Sequence, residues 1–126
     1  MNKILIALLM AGFSSLSFAQ TTICNGTPAA TKEVKAEAAP ADGSADDRFI
    51  KTDFDFNCSN NSIVVYEEQN ATLLTVGAAS VKGNEYFGGH TDGGAVTSYD
   101  KCATDPCTAD DATTGNTKAA EKASGS

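Results

Sequence analysis

The chain of 126 residues contains no tryptophan, one histidine and few large apolar side chains. Alanine supplies much of the 41% hydrophobic fraction, and a buried alanine removes little area from water. From Gln20 onward 15 residues are Val, Ile, Leu or Phe, and 13 of these lie between Phe49 and Tyr99. We therefore expect one small hydrophobic core in the middle of the chain, between two weakly hydrophobic flanks.

The sequence also lacks the usual catalytic motifs. It has no Gly-x-Ser-x-Gly elbow and no glycine-rich phosphate loop before a helix. Its one imidazole, His90, has Asp92 nearby to orient it, but glycines surround the pair, whereas catalysis needs rigid support. Asp53 and Asp55 point to one side of a predicted strand, but a domain this small has little room for a glycosidase cleft. These absences predict a protein that is not an enzyme and uses no cofactor.

Basic residues are outnumbered, with 9 Lys and Arg against 16 Asp and Glu and a formal net charge of -7. Removal of a leader that contains Lys3 changes this charge to -8. A chain so acidic repels nucleic acids and anionic lipid surfaces. The composition therefore predicts no nucleic-acid partner.

Residues 1–19 have the pattern of a secretory signal peptide. Lys3 provides the positive start, residues 4–13 are mainly apolar, and Ser17-Phe18-Ala19 matches a small-x-small cleavage site. The apolar run is shorter than the roughly 20 residues of a membrane-spanning helix, which disfavours the alternative of an uncleaved anchor. We expect cleavage after Ala19, no later membrane span, and export to the periplasm or the extracellular space, most simply of a bacterium.

Four cysteines in an exported chain predict two disulfides. Three pairings are possible, and the preferred one joins Cys102 to Cys107 across a short turn that contains Pro106, which leaves Cys24 to pair with Cys58. A zinc site is disfavoured because the chain has only one pair of closely spaced cysteines.

Alternating or β-branched segments predict an all-β fold. We expect a meander of five or six short antiparallel strands, forming a small sandwich or a partly open barrel. Asn60 and Asn61 indicate a tight turn, and Gly77 indicates a bulge or bend inside a strand. The predicted strands are 50–58, 62–68, 71–82, 85–87 and 95–99.

The composition divides the mature chain into three parts. Residues 20–47 form a weakly hydrophobic segment tethered by Cys24, in which 31–39 is either a short helix or an edge strand. Residues 48–107 form the β domain. No large apolar residue follows Val96, so residues 108–126 are predicted to be a mobile polar tail.

Two acidic or polar loops are weak candidates for cation binding. Asp42, Asp46 and Asp53 partly match the spacing of a calcium loop, although Asp47 stands where such a loop needs glycine. His90 and Asp92 are the candidates in the second loop.

Two functions follow from these patterns. The first is an exported, non-enzymatic structural or interaction protein of the cell envelope or extracellular space, which assembles with itself or another surface through strand edges. The second is a small periplasmic module that binds a cation or another small ligand.

Overall fold

A computed structural model describes residues 20–27, 30–35 and 48–124. The predicted signal peptide, Asp42 and Asp46 lie outside the described residues. Within them the chain forms seven strands and a helix: β1 (Thr21–Asn25), β2 (Ala30–Val34), β3 (Phe54–Cys58), β4 (Ser62–Asn70), β5 (Leu73–Ser80), β6 (Glu85–His90), β7 (Thr97–Lys101) and α1 (Ala109–Ser124).

The strands form two antiparallel sheets. The larger sheet has five strands in the order β1-β4-β5-β6-β7, and β2 pairs with β3 in a separate sheet. The predicted all-β class is therefore confirmed, and the meander is correct for β4 to β7. The number of strands is higher than predicted, because β1 joins the large sheet and β2 forms an edge strand, the second of the two alternatives for this region.

The turn after β3 leads from one sheet to the other. Asn61 has a φ of 69°, a left-handed conformation that asparagine tolerates. Because β3 pairs with β2, this turn does not close a hairpin with β4, as a simple meander would require. The two-layered arrangement depends on this crossing.

The C-terminal region is the main correction to the sequence-based prediction. Residues 109–124 form α1, which packs against β4, β5 and β6, so the predicted mobile polar tail is wrong over this range. Ala112, Asn116 and Ala119 are completely buried in the contact. The prediction failed because it required large apolar residues for docking, whereas this helix docks through small ones. No helix in the described part of the chain has the length and apolarity needed to cross a membrane.

Glycines allow α1 to lie directly on the sheet backbone. A Cβ on Gly77 would overlap the carbonyl oxygen of Ala112 and the backbone nitrogen of Asn116. A Cβ on Gly88 would overlap the carbonyl oxygen of Gly115. The strand pairing runs through Gly77 without a register shift, so the predicted bulge there is wrong, and the glycine instead provides room for the helix.

The large sheet thus has two different faces. We call the face that contacts α1 the inner face; it includes Ile63, Val65 and Ala79, which are buried. Successive strand residues point to opposite faces, so Val64 and Tyr66 lie on the other, outer face. The β2–β3 sheet lies over the part of the outer face formed by β1, β4 and β5, where residues of both layers line one cavity.

Both predicted disulfides are confirmed. Cys24–Cys58 joins β1 to β3 and therefore connects the two sheets, while Cys102–Cys107 closes the loop between β7 and α1. No free cysteine occurs among the described residues.

The substitution Gly77→Ala tests the close approach of helix and sheet. Its new methyl group meets backbone atoms, which cannot rotate away, so we expect the free energy of unfolding to fall by about 3 kcal/mol. The control is Gly83→Ala, whose Cβ would have its nearest contact at 3.3 Å, with the Cβ of Ser80, and would overlap no backbone atom. Urea denaturation followed by circular dichroism measures both. Equal stabilities for the two variants would contradict the proposed packing.

The disulfides are expected to differ in their contributions to stability. The sequence separation is 34 residues for Cys24–Cys58 and 5 for Cys102–Cys107. In the chain-entropy model the longer loop stabilises by about 4 kcal/mol and the shorter by about 2 kcal/mol. Paired Cys→Ala substitutions, measured by denaturant unfolding, therefore destabilise more at 24 and 58 than at 102 and 107. The reverse order would contradict this ranking.

Candidate functional site

The described cation candidates do not form a cluster. Asp53 is exposed before β3, Asp92 is exposed in the loop after β6, and His90 is half-buried at the end of β6. None of the three belongs to a group of three or more metal-ligating side chains within the described residues. Their assignment as metal ligands therefore gains no support from the geometry.

His90 is held in a more regular setting than the sequence predicts. Gly88 to His90 continue strand β6 instead of forming the loop, and His90 pairs with Thr75. Its Nδ1 is buried and has no hydrogen-bond partner, so Asp92 does not orient the ring through this atom. The arrangement lacks the positioned base and acid of a catalytic pair.

One cluster of potential ligands does occur within the described residues, formed by Cys102, Cys107 and Asp111. The two sulfur atoms are joined in a disulfide and supply no thiolate. Asp111 accepts hydrogen bonds from the backbone N–H groups of Ala103 (2.8 Å) and Thr108 (2.7 Å), and from the Thr108 hydroxyl (3.1 Å). The cluster is therefore a structural connection between the disulfide loop and the start of α1.

The carboxylate of Asp111 is stabilised in its charged form. Burial acts to raise its pKa, but the hydrogen bonds from Ala103 and Thr108 outweigh burial and hold the pKa below the ordinary value of 3.8. The same carboxylate lies in the first turn of α1, where the helix dipole favours negative charge. Asp111 thus caps the start of the helix by accepting from the backbone N–H of Thr108, which is one half of a capping box.

An apolar cavity lies between the two sheets. Its volume is about 220 Å³, and no charged side chain lines it. Phe54 is its most exposed lining residue, with 47% of its surface accessible, and the cavity is partly open to solvent. The lining residues are Ile23, Val34, Phe49, Ile50, Phe54, Phe56, Val64, Tyr66, Leu74 and Val76.

The layers around this cavity are connected on two sides. Cys24, bonded to Cys58, pairs with Val64 of β4. Four residues further along β4, Glu68 forms a buried ion pair with Arg48 (3.3 Å) and accepts a hydrogen bond from the backbone N–H of Ile50 (2.6 Å). These contacts hold the segment with Phe49 and Ile50 against the sheet.

The outer face of β6 carries a second apolar feature. Phe87 is 39% exposed and pairs with Ala78, and Val96, 73% exposed, lies over Gly89 on the same face. Among the described residues, neither β2 nor β3 makes an extensive contact with β6 or β7. We call Ala78, Phe87 and Val96 the open patch.

Sequence reasoning missed both features because each depends on residues from separate strands. The alternation over residues 50–58 places Phe54 and Phe56 on one face of the strand, but it does not reveal that this face meets Val64 and Val76 of another sheet. Val96 was predicted to lie in strand 95–99, but it precedes β7, and its position over Gly89 has no local sequence pattern.

Comparisons of the chain with known proteins give no indication of its function. No protein-family model, no curated protein and no solved structure matches the chain. The functional argument therefore depends on the cavity, the open patch and the sheet edges.

The pKa of Asp111 leads to a pH-dependent prediction. Because the folded-state pKa is depressed, the carboxylate stabilises the fold above the ordinary carboxyl pKa, and this contribution is lost as the pH falls through the folded-state value. At pH 7, Asp111→Asn is expected to lower the free energy of unfolding by about 1 to 2 kcal/mol, because the hydrogen bonds lose a charged acceptor.

The difference between the wild type and Asp111→Asn should decrease below about pH 4. Denaturant unfolding at several pH values between 2 and 7 measures it, with Asp110→Asn as the control, because Asp110 is exposed in the same helical turn. A difference that stays constant with pH would show that the charge of Asp111 does not stabilise the fold.

Proposed function

We propose that the chain is an exported, non-enzymatic interaction protein that associates with a second copy of itself through the open patch and the adjoining edge strand β7. The observation that carries the proposal is the exposure of Phe87 and Val96, side by side on a sheet face without a second layer among the described residues. Exposed apolar side chains that lie next to one another indicate an interaction site, whereas isolated ones do not.

Export is supported by two kinds of observation. The two disulfides are compatible with an oxidising compartment, and residues 1–19 have the composition of a cleaved signal peptide. A location in the periplasm or the extracellular space of a bacterium agrees with both.

Strand β7 provides backbone groups for pairing beside the patch. It is the last strand of the large sheet and pairs with β6 on one side. In a two-fold antiparallel contact between two copies, the backbone N–H and C=O groups of the two β7 edges pair with each other, while Asp100 and Lys101 point to opposite faces. Pairing of identical edges about a two-fold axis therefore supports a second copy as the partner.

The shape of this edge limits how far such pairing extends. The register shifts between β6 and β7 beside Tyr86 and Phe87, and β7 has only five residues. The opposite edge, β1, also has a register shift, between Thr22 and Cys24. Irregular, short edges oppose unlimited strand addition. We therefore propose a small closed assembly in preference to a long filament.

Salt is expected to strengthen the association. The mature chain carries a formal charge of -8, so two copies repel each other at long range, and added salt screens this repulsion while the apolar contact remains. Sedimentation velocity on residues 20–126 with intact disulfides, at 20 mM and 300 mM NaCl over a concentration series, measures the association.

Val96→Lys tests the patch directly. The residue is so exposed that its substitution should leave stability unchanged, yet a lysine in the contact should weaken dimerisation at least tenfold. Thr113→Lys adds the same charge on an exposed position of α1 and serves as the control. A wild type that stays monomeric at millimolar concentration, or equal association of both variants, would overturn the proposal.

A further inference from the structure

We propose that the cavity between the two sheets is a binding site for a small, uncharged, apolar molecule. This site lies apart from the open patch and is independent of self-association. The cavity involves both layers: Val64, Tyr66, Leu74 and Val76 line it from the large sheet, and Val34, Phe54 and Phe56 line it from the small one.

The lining determines the chemistry of the ligand. Every lining side chain is aliphatic or aromatic, and Tyr66 contributes the one polar side-chain group. Water needs two to four polar partners to be retained in a cavity, so this lining holds water poorly. A charged ligand would lose its hydration without a counter-charge in the lining, because the nearby Arg48 is already neutralised by Glu68.

The size of the cavity restricts the ligand further. Its volume of about 220 Å³ exceeds the roughly 150 Å³ of an apolar protein cavity that binds benzene. It is too small for most of the ligands held in pockets of 300 to 1,000 Å³. The fitting class is therefore a substituted or fused aromatic, or a compact aliphatic molecule of similar size.

The connections between the layers keep this volume from collapsing. The Cys24–Cys58 disulfide fixes β3 against β1, and the ion pair of Arg48 with Glu68 fixes the segment that carries Phe49 and Ile50. The cavity lies between these two connections. A preformed site of this kind avoids the ordering cost that a flexible site incurs on binding.

The site also has a route to solvent. The cavity is partly open, and Phe54 is the most exposed of its lining residues. Rotation of an exposed aromatic side chain needs no change in the sheets. Ligand exchange therefore proceeds without unfolding of the domain.

Naphthalene is the probe for the first experiment, with benzoate as the charged control. Titration calorimetry and ¹H–¹⁵N spectra of residues 20–126, with intact disulfides, should show binding of naphthalene and at least tenfold weaker binding of benzoate. The shifted amides should belong to strands β4 and β5 around Val64 and Val76. Absence of binding, or equal binding of both compounds, would overturn the proposal.

Val76→Phe fills the cavity from the central strand and should weaken naphthalene binding at least tenfold. Val96→Lys is the matched control, since it changes the open patch outside the cavity and should leave naphthalene binding unchanged. The opposite pattern, in which only Val96→Lys weakens binding, would mean adsorption to the exposed patch and would contradict the cavity site.

A measurement on the wild type covers the case in which Val76→Phe does not fold. Nuclear Overhauser effects from bound naphthalene should reach the methyl groups of Ile23, Val64, Leu74 and Val76. Effects restricted to Phe87 and Val96 would overturn the assignment of the site. Failure of dimerisation with retained naphthalene binding would remove the proposed self-association and leave this inference intact.

Discussion

The close contact between α1 and the large sheet determines the rest of the structure. Gly77 and Gly88 on the sheet and Gly115 on the helix bring the two backbones together, because a Cβ at any of these positions would overlap backbone atoms of the other element. The helix thereby covers the inner face with alanine, glycine and asparagine residues. The contact needs little side-chain volume, which suits a chain with so few large apolar residues.

Because the inner face needs few large side chains, most of the large apolar residues lie on the outer side of the large sheet. Ile63 and Val65 are buried under the helix, whereas Val64, Leu74, Val76 and four aromatic residues line the cavity between the sheets. The polar contacts at the helix interface add specificity. Asn116 donates to Glu67 (3.0 Å), which fixes the position of α1 along β4, and Gln69 donates to the buried hydroxyl of Thr75 (3.2 Å), which joins β4 to β5.

The sequence predicts local features well and their assembly poorly. The alternation in 50–58 predicts a strand of which 54–58 forms, the β-branched run in 62–68 predicts β4 correctly, and the cysteine spacing predicts both disulfides. No local sequence pattern predicts the pairing of β3 with β2, because this pairing depends on contacts between segments that are distant in the chain. The helix had usable features: Thr108 as a cap, two aspartates in the first turn, and a lysine in the last. The prediction of a mobile tail rested only on the absence of large apolar residues, which docking on a glycine-containing sheet does not require.

The two apolar features of the outer face follow from the small size of the second layer. A two-stranded sheet covers only part of a five-stranded one, so the layer ends over β5, with the cavity on one side and the open patch on the other. An arrangement chosen for stability alone would bury Phe54, Phe87 and Val96 and fill the cavity, because each buried apolar group stabilises a domain this small. The disulfide between β1 and β3 offsets part of that loss by constraining the unfolded chain. Incomplete burial of scarce apolar residues, in a domain held together by disulfides, is the physical reason to look for function on the outer face.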